Sequence, residues 1–305
     1  MPIHLEPISR RWFIGSSVAA ASAGWLALES ASCAEQPAAD PHTIALLSDT
    51  HIFRDRAVKH RGVDMYSHLA QVGEEVRSHA KRPSHVLVNG DCAFLEGGAE
   101  DYQQFLSLIK PYTEAGFPVH LALGNHDNRE RFWEGAMPFR STVKGLDSRQ
   151  VSIIVAERAN WFVLDSLERT NYTPGTLGAD QLRWLGESLD AHGDRPAIVM
   201  AHHNPVSGAG VSMGLSDTEQ LFEVIMPRRQ VKAYVFGHTH HWQARERDGL
   251  HLINLPPTAY PFNSTDPSGW VEVNLEPDGA SFTLHALDKA HPANGQRHDL
   301  KWRAA

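Results

Sequence analysis

Five short apolar runs recur along the chain, and each stops abruptly at Asp, Asn or His. They are "TIALLSD" (43–49), "SHVLVNGD" (84–91), "PVHLALGNHD" (118–127), "AIVMAHHNP" (197–205) and "KAYVFGHTH" (232–240). Runs this short and this rich in Val, Ile and Leu read as strands buried on both faces. Between them, "YSHLAQVGEEVRSHAKR", "EDYQQFLSLIK", "ADQLRWLGESLDAHG" and "SDTEQLFEVIMP" carry helical periodicity, with Gly or Pro near several ends. Within the third of these, Leu182, Leu185 and Leu189 form a core-facing stripe. Strands alternating with helices predict an α/β fold with a mostly parallel sheet. Additional strand candidates, "VSIIV", "NWFVLD", "LHLINL", "WVEVNL" and "SFTLHAL", are too many for one doubly wound sheet. The pattern therefore predicts two packed mixed sheets flanked by helices.

Ligand sites in open α/β sheets lie beyond the carboxyl ends of the strands, where every one of these polar clusters falls. Five strand ends aimed at one crevice would gather Asp49, His51, Asp91, Asn125, His126, His202, His203, His238 and His240. If the chain stays extended past each strand, residues i and i+2 share a side. His238 and His240 then face together, His241 faces away, and Asp49 pairs with His51. Either pair alone is weak evidence, and their joint occurrence with "NGD" and "GNHD" is what points to a site. Imidazole with carboxylate suits Fe, Mn, Zn or Co better than Ca, which prefers oxygen alone.

Charge and the amino terminus narrow the function classes. The 305-residue chain has a formal net charge of −8, which argues against an extended nucleic-acid face but leaves room for a small anion at a local positive site. "SRRWFIGSSVAAASAGWLAL" places Arg10 and Arg11 before a moderately apolar stretch, and "SCA" closes it at Ser32 to Ala34. Residues 1–34 read as a twin-arginine signal peptide cleaved after Ala34. The expectation is export to the periplasm or beyond, with no stable membrane span after processing. An uncleaved anchor and lipid attachment at Cys33 are the alternatives. Cleavage leaves Cys92 without a partner, so no disulfide is expected. Residues 35–42 read as a linker.

The ordered blocks "DTH", "GD", "GNHD", "HHNP" and "GHTH" resemble the calcineurin-like metallophosphoesterases, the family that includes purple acid phosphatases and class III cyclic-nucleotide phosphodiesterases. The resemblance covers roughly residues 43–265 and implies a four-layer αββα sandwich over 43–290, with 291–305 as a carboxyl-terminal tail. It implies two transition-metal ions, Fe, Mn or Zn. Asp49, His51, Asp91 and His240 would hold one, with Asp91 bridging; Asn125, His202 and His238 would complete the other. Assigning His203 in place of His202 is the alternative. His126 is expected to be the general acid, with Asp127 orienting it, unless His126 only caps its loop. The implied reaction is hydrolysis of a small phosphoester, diesters above all, by attack of a metal-bridging hydroxide. Its rivals are a phosphomonoesterase of the same family and a non-catalytic exported metal-binding protein. The latter fits poorly, since every ligand type is present and the histidines sit singly at separate strand ends.

Other residues take ordinary readings. His42, His60, His68, His79, His85, His192, His285, His291 and His298 lack motif context and read as surface residues. Arg54, Arg56 and Arg129 follow ligand blocks but read as solvated loop residues. Phe94 stands where purple acid phosphatases carry the tyrosine that colours their iron, so that colour is not expected. The loops 131–148, 206–216 and 255–264 are expected to wall the substrate.

Overall fold

The computed structural model describes residues 4–5, 38–136, 146, 148–206 and 213–304. In chain order these form β1 (His4–Leu5), β2 (Asp40–Leu47), α1 (Met65–Ser78), β3 (Pro83–Val88), α2 (Ala99–Glu114), β4 (Val119–Leu121), α3 (Arg129–Gly135), β5 (Ser152–Val155) and β6 (Asn160–Val163). There follow α4 (Ala179–Ala191), β7 (Ala197–Met200), α5 (Thr218–Ile225), β8 (Val231–Phe236), β9 (Gln243–Arg247), β10 (Leu250–Asn254), β11 (Gly269–Glu276), β12 (Gly279–Ala286) and β13 (Arg297–Lys301). One sheet has the order β1-β4-β3-β2-β11-β12-β13 and the other β5-β6-β7-β8-β10-β9. The five motif strands lie side by side and parallel within their sheets, β2 with β3 and β3 with β4, then β7 with β8.

Burial on both faces explains the continuous apolar runs. In β2, Ile44 and Leu46 point into a core between the sheets with Trp161, Ile198, Met200 and Val235. Ala45 and Leu47 point the other way, against Leu69 and Val72 of α1 and Phe105 and Ile109 of α2. The outer face of the second sheet carries Phe162 and Val199 against Leu182, Leu185 and Leu189, the predicted stripe of α4. Helix, sheet, sheet, helix is thus the layer order, and successive residues of one strand serve different cores.

Two boundaries differ from the sequence reading. The expected linker 35–42 already contains the start of β2, because Asp40 pairs with Pro83. The expected tail 291–305 contains β13, whose five residues pair antiparallel with β12. Its burial alternates, but in "RHDLK" only Leu300 is apolar and buried, and Arg303 just beyond the strand anchors the end by donating to the Ile225, Arg228 and Val231 carbonyls. The expected signal peptide lies outside the described residues except for His4 and Leu5, which pair with β4 at the sheet edge. Arg10, Arg11 and Cys33 also lie outside them, as do 137–145 and 207–212 of the expected substrate loops. Among the described residues, no helix is long and apolar enough to cross a membrane.

Candidate metal centre

Past the ends of β2, β3 and β8 the chain does not stay extended. Asp49, His51, Asp91, His238 and His240 all have φ between 46° and 68°. A left-handed non-glycine residue costs on the order of 1–3 kcal/mol, and such strain concentrates where a side chain must be aimed. Both pairs reach the crevice, but tight left-handed turns bring them there rather than an extended chain. His241 does face away, with Nδ1 3.0 Å from Asp266. Two glycines make the turns possible by close approach. A Cβ on Gly124 would strike the Asp91 carboxylate, and one on Gly237 would strike Ser48 and Asp49.

The side chains form overlapping donor groups, Asp49 with His51 and His240, Asp91 with His202 and His238, and between them His51 with Asp91 and His126. Backbone carbonyls fix the ring tautomers. His240 donates Nδ1–H to the Tyr260 carbonyl at 2.5 Å and His202 donates Nδ1–H to the Asn89 carbonyl at 2.8 Å, so each presents a lone pair at Nε2. The Nε2 of His240 then lies 3.0 Å from His51 Nε2 and 3.3 Å from Asp49 Oδ1. The Nε2 of His202 lies 3.4 Å from Asp91 Oδ2 and 3.8 Å from Asp49 Oδ1, and has no hydrogen-bond partner. Asn125 Oδ1 is likewise buried and unpartnered. His238 donates Nε2–H to the Met213 carbonyl at 2.6 Å, which puts its lone pair on Nδ1.

Buried lone pairs converging on carboxylates are unfavourable unless a cation stands between them. The electrostatics agree. Burial alone would raise the carboxyls of Asp49 and Asp91, but the surrounding imidazoles outweigh it and hold both well below the usual range. Burial lowers His51 to about 3 and His238 to about 4. His202 is also buried, yet Asp91 and Asp49 push it up to about 10. The pocket favours positive charge at its centre, and its nitrogen and oxygen donors fit a pair of transition-metal ions.

The remaining expected residues separate clearly. Both ring nitrogens of His203 are engaged, Nδ1 with Ser166 Oγ at 2.7 Å and Nε2 with the Thr173 carbonyl at 2.9 Å, so this ring backs His238 while His202 offers the free donor atom. His126 sits at the edge of the centre: its backbone N–H reaches Asp91 Oδ1 at 2.8 Å and its Nδ1 the Leu95 carbonyl at 3.0 Å. Asp127 does not orient it. The Asp127 carboxylate is fully buried and accepts from the backbone N–H groups of Gly124, Cys92 and Ala93 and from the Tyr102 hydroxyl, which ties the "GNHD" loop to the turn after β3. Adjacency in sequence suggested a pair, and the turn sends the two side chains apart.

A cleft of about 400 Å³ opens over the donors, walled by Asn125, His126, Thr173, Asn204, Met213, Tyr260 and Phe262, with no Lys or Arg among the described residues of its lining. Arg129 is committed to Asp165 at 2.7 Å, Arg54 lies beside Glu100, and Arg56 covers the Tyr66 ring. Tyr260 and Phe262 were not singled out from the sequence, although their loop was. Phe262 stacks on His240 at 4.0 Å between ring centroids, and Tyr260 stacks on His51 at 5.2 Å. His60, read as a surface residue, lies against Tyr260 at 4.7 Å. Phe94 stands edge-on to His51, without an oxygen to offer a metal.

Comparison with known proteins gives a consistent set of likenesses. The profile of the calcineurin-like phosphoesterases matches residues 42–242. A Pseudomonas aeruginosa protein named as 3′,5′-cyclic adenosine monophosphate phosphodiesterase CpdA is 31% identical over 257 residues, covering 82% of this chain and 84% of that one. A Synechococcus protein named as a probable cyclic nucleotide phosphodiesterase is 30% identical over 244 residues, covering 78% and 89%. Among solved structures, a dimetal phosphatase from Danio rerio superposes with a TM-score of 0.66 at 14% identity, covering 87% of this chain and all of that one.

Proposed function

The chain belongs to the calcineurin-like phosphoesterase family and is a metal-dependent phosphoric ester hydrolase, and from that premise we propose that its substrates are small phosphodiesters, cyclic nucleotides first among them. The observation that carries this reading is the absence of Lys and Arg from the described lining of the cleft. A diester monoanion is matched by a centre whose metal charge is partly offset by Asp49 and Asp91, whereas a monoester dianion calls for an added cation. The names of the Pseudomonas and Synechococcus relatives support the same class.

Asp49, His51, Asp91 and His240 would hold one ion, and Asp91, Asn125, His202 and His238 the other. When bound, such ions, Fe, Mn or Zn, supply positive charge to the phosphoryl oxygens and acidify water toward neutral pKa. The carbonyls of Tyr260 and Asn89 keep the His240 and His202 rings in the donor tautomer. Asn125 contributes an oxygen without negative charge. His126, anchored through Nδ1 to Leu95, can carry a proton on Nε2 and deliver it to the departing oxygen. Tyr260 and Phe262 present aromatic faces beside the donors, a surface suited to a flat base and to excluding water.

With Mn loaded, bis-p-nitrophenyl phosphate should be hydrolysed with kcat/KM at least about tenfold above p-nitrophenyl phosphate at neutral pH. Cyclic nucleotides should follow the diester. A clear monoester preference would overturn the charge argument.

Export belongs to the same reading, supported by Arg10 and Arg11 ahead of the Ala-rich stretch and the "SCA" site. Changing both arginines to lysine should trap the precursor in the cytoplasm, as judged by fractionation. Mass spectrometry of the exported wild type should find Glu35 first; an acylated Cys33 or an intact amino terminus would contradict it.

A further inference from the structure

Among the described residues, a second group of metal-capable side chains lies outside the cleft, formed by His79, Glu272 and His285. These come from three elements, the residue that closes α1, β11 and β12. In the register of β11 with β12, Trp270 stands opposite His285 and Glu272 opposite Thr283, so His285 and Glu272 are diagonal neighbours on one face. Nothing in the spacing 79, 272, 285 marks them in the sequence.

Both histidine–glutamate distances lie in the range that an ion sets between its ligands. His79 Nε2 is 3.3 Å and His285 Nε2 is 3.0 Å from the same oxygen, Glu272 Oε2. All three donor atoms lie within 4.8 Å of one another. An ion with bonds of about 2.0–2.2 Å separates its ligand atoms by about 3–4 Å.

The hydrogen bonds around the group point the same way. His79 Nδ1 faces the Lys81 carbonyl at 3.1 Å, and only an N–H can make that contact. With Nδ1 as the donor, His79 directs Nε2 at a carboxylate oxygen, an arrangement that a positive charge between the two atoms, a metal ion or a proton, makes favourable. Carbonyl to Nδ1–H with Nε2 free is also the way proteins prepare histidine as a ligand. The other Glu272 oxygen accepts from Asn274 Nδ2 at 2.5 Å, which fixes the carboxylate. Trp270 holds both rings, stacked on His285 at 4.3 Å and 10° and edge-on to His79 at 5.3 Å and 89°. The side chains of His79 and His285 are 20% and 26% exposed against 9% for Glu272, so an ion can enter from solvent and keep water in its open position.

We propose that His79, Glu272 and His285 form a zinc-binding site, separate from the catalytic centre, that fastens the carboxyl-terminal end of α1 to β11 and β12. Two imidazoles with one carboxylate select zinc over calcium or magnesium, which favour oxygen alone.

The test is a zinc-edge anomalous difference map of wild-type crystals equilibrated with zinc, with elemental analysis of the same protein in solution. The expected result is a peak between the three side chains and one zinc per chain more than in His285→Ala, whose peaks at the catalytic centre remain. Zinc should also raise the thermal midpoint of wild type more than that of the variant. His79→Gln, at the half-buried end of α1, serves as a second variant if His285→Ala folds poorly. No peak in wild type, or equal zinc content in wild type and both variants, would overturn the proposal and leave a protonated histidine–glutamate pair in its place.

Discussion

Replacing Asp91 by alanine is expected to empty the metal centre of both ions and to lower kcat/KM by about 10³-fold or more, which is on the order of 4 kcal/mol of transition-state stabilisation. The size of the effect follows from position. Asp91 Oδ2 lies 3.4 Å from His202 Nε2 and 3.7 Å from His51 Nε2, so it borders the donors proposed for both ions. Its other oxygen holds the His126 N–H and hence the "GNHD" loop. Folding should survive, because Asp91 pushes the Asp49 carboxyl up in the metal-free pocket and its removal relieves that repulsion. Circular dichroism and elemental analysis of manganese-loaded protein would check both halves. A folded variant that kept both ions, or most of its activity, would show that Asp91 is not shared.

His126→Ala should behave differently, keeping its metals and losing proton transfer. The expected fall in kcat is about 10²–10⁴-fold on a cyclic nucleotide, whose departing alkoxide needs a proton. On bis-p-nitrophenyl phosphate, where the leaving group is a stable phenolate, the loss should be well under about tenfold. The ring supports this division, since Nδ1 is anchored on Leu95 at the rim while the backbone N–H is what contacts Asp91. A ring nitrogen of His126 also lies within 4.8 Å of donor atoms of His51 and Asp91, so the opposite outcome has a clear meaning. If His126→Ala lost an ion, or if the two substrates suffered alike, His126 would be a ligand and not an acid.

The layered fold was legible because burial on both faces writes itself into a strand as an unbroken apolar run, as in "IALL" of β2 and "AIVM" of β7. The residues that gather in the cleft were legible as candidates because each stands at the end of such a run. What the sequence hides is direction. Asp127 follows His126 yet turns into the loop, and His202 and His203 differ only in which carbonyls and hydroxyls meet their ring nitrogens. An extended chain would pair His238 with His240, whereas the turn is left-handed and its aim depends on Gly237 clearing Ser48. β13 carries no apolar run because, of its five residues, Leu300 alone is apolar and buried. His79 and His285 are joined by Glu272 through packing of distant elements, a relation that no local pattern records.

The central claim is that the strand ends build a two-ion centre with Asp91 shared. A manganese-edge anomalous difference map of the wild-type protein tests it most directly. It should show two peaks separated by about 3.5–4 Å, one among Asp49, His51, Asp91 and His240 and the other among Asp91, Asn125, His202 and His238. A single peak, or two peaks without Asp91 between them, would contradict it.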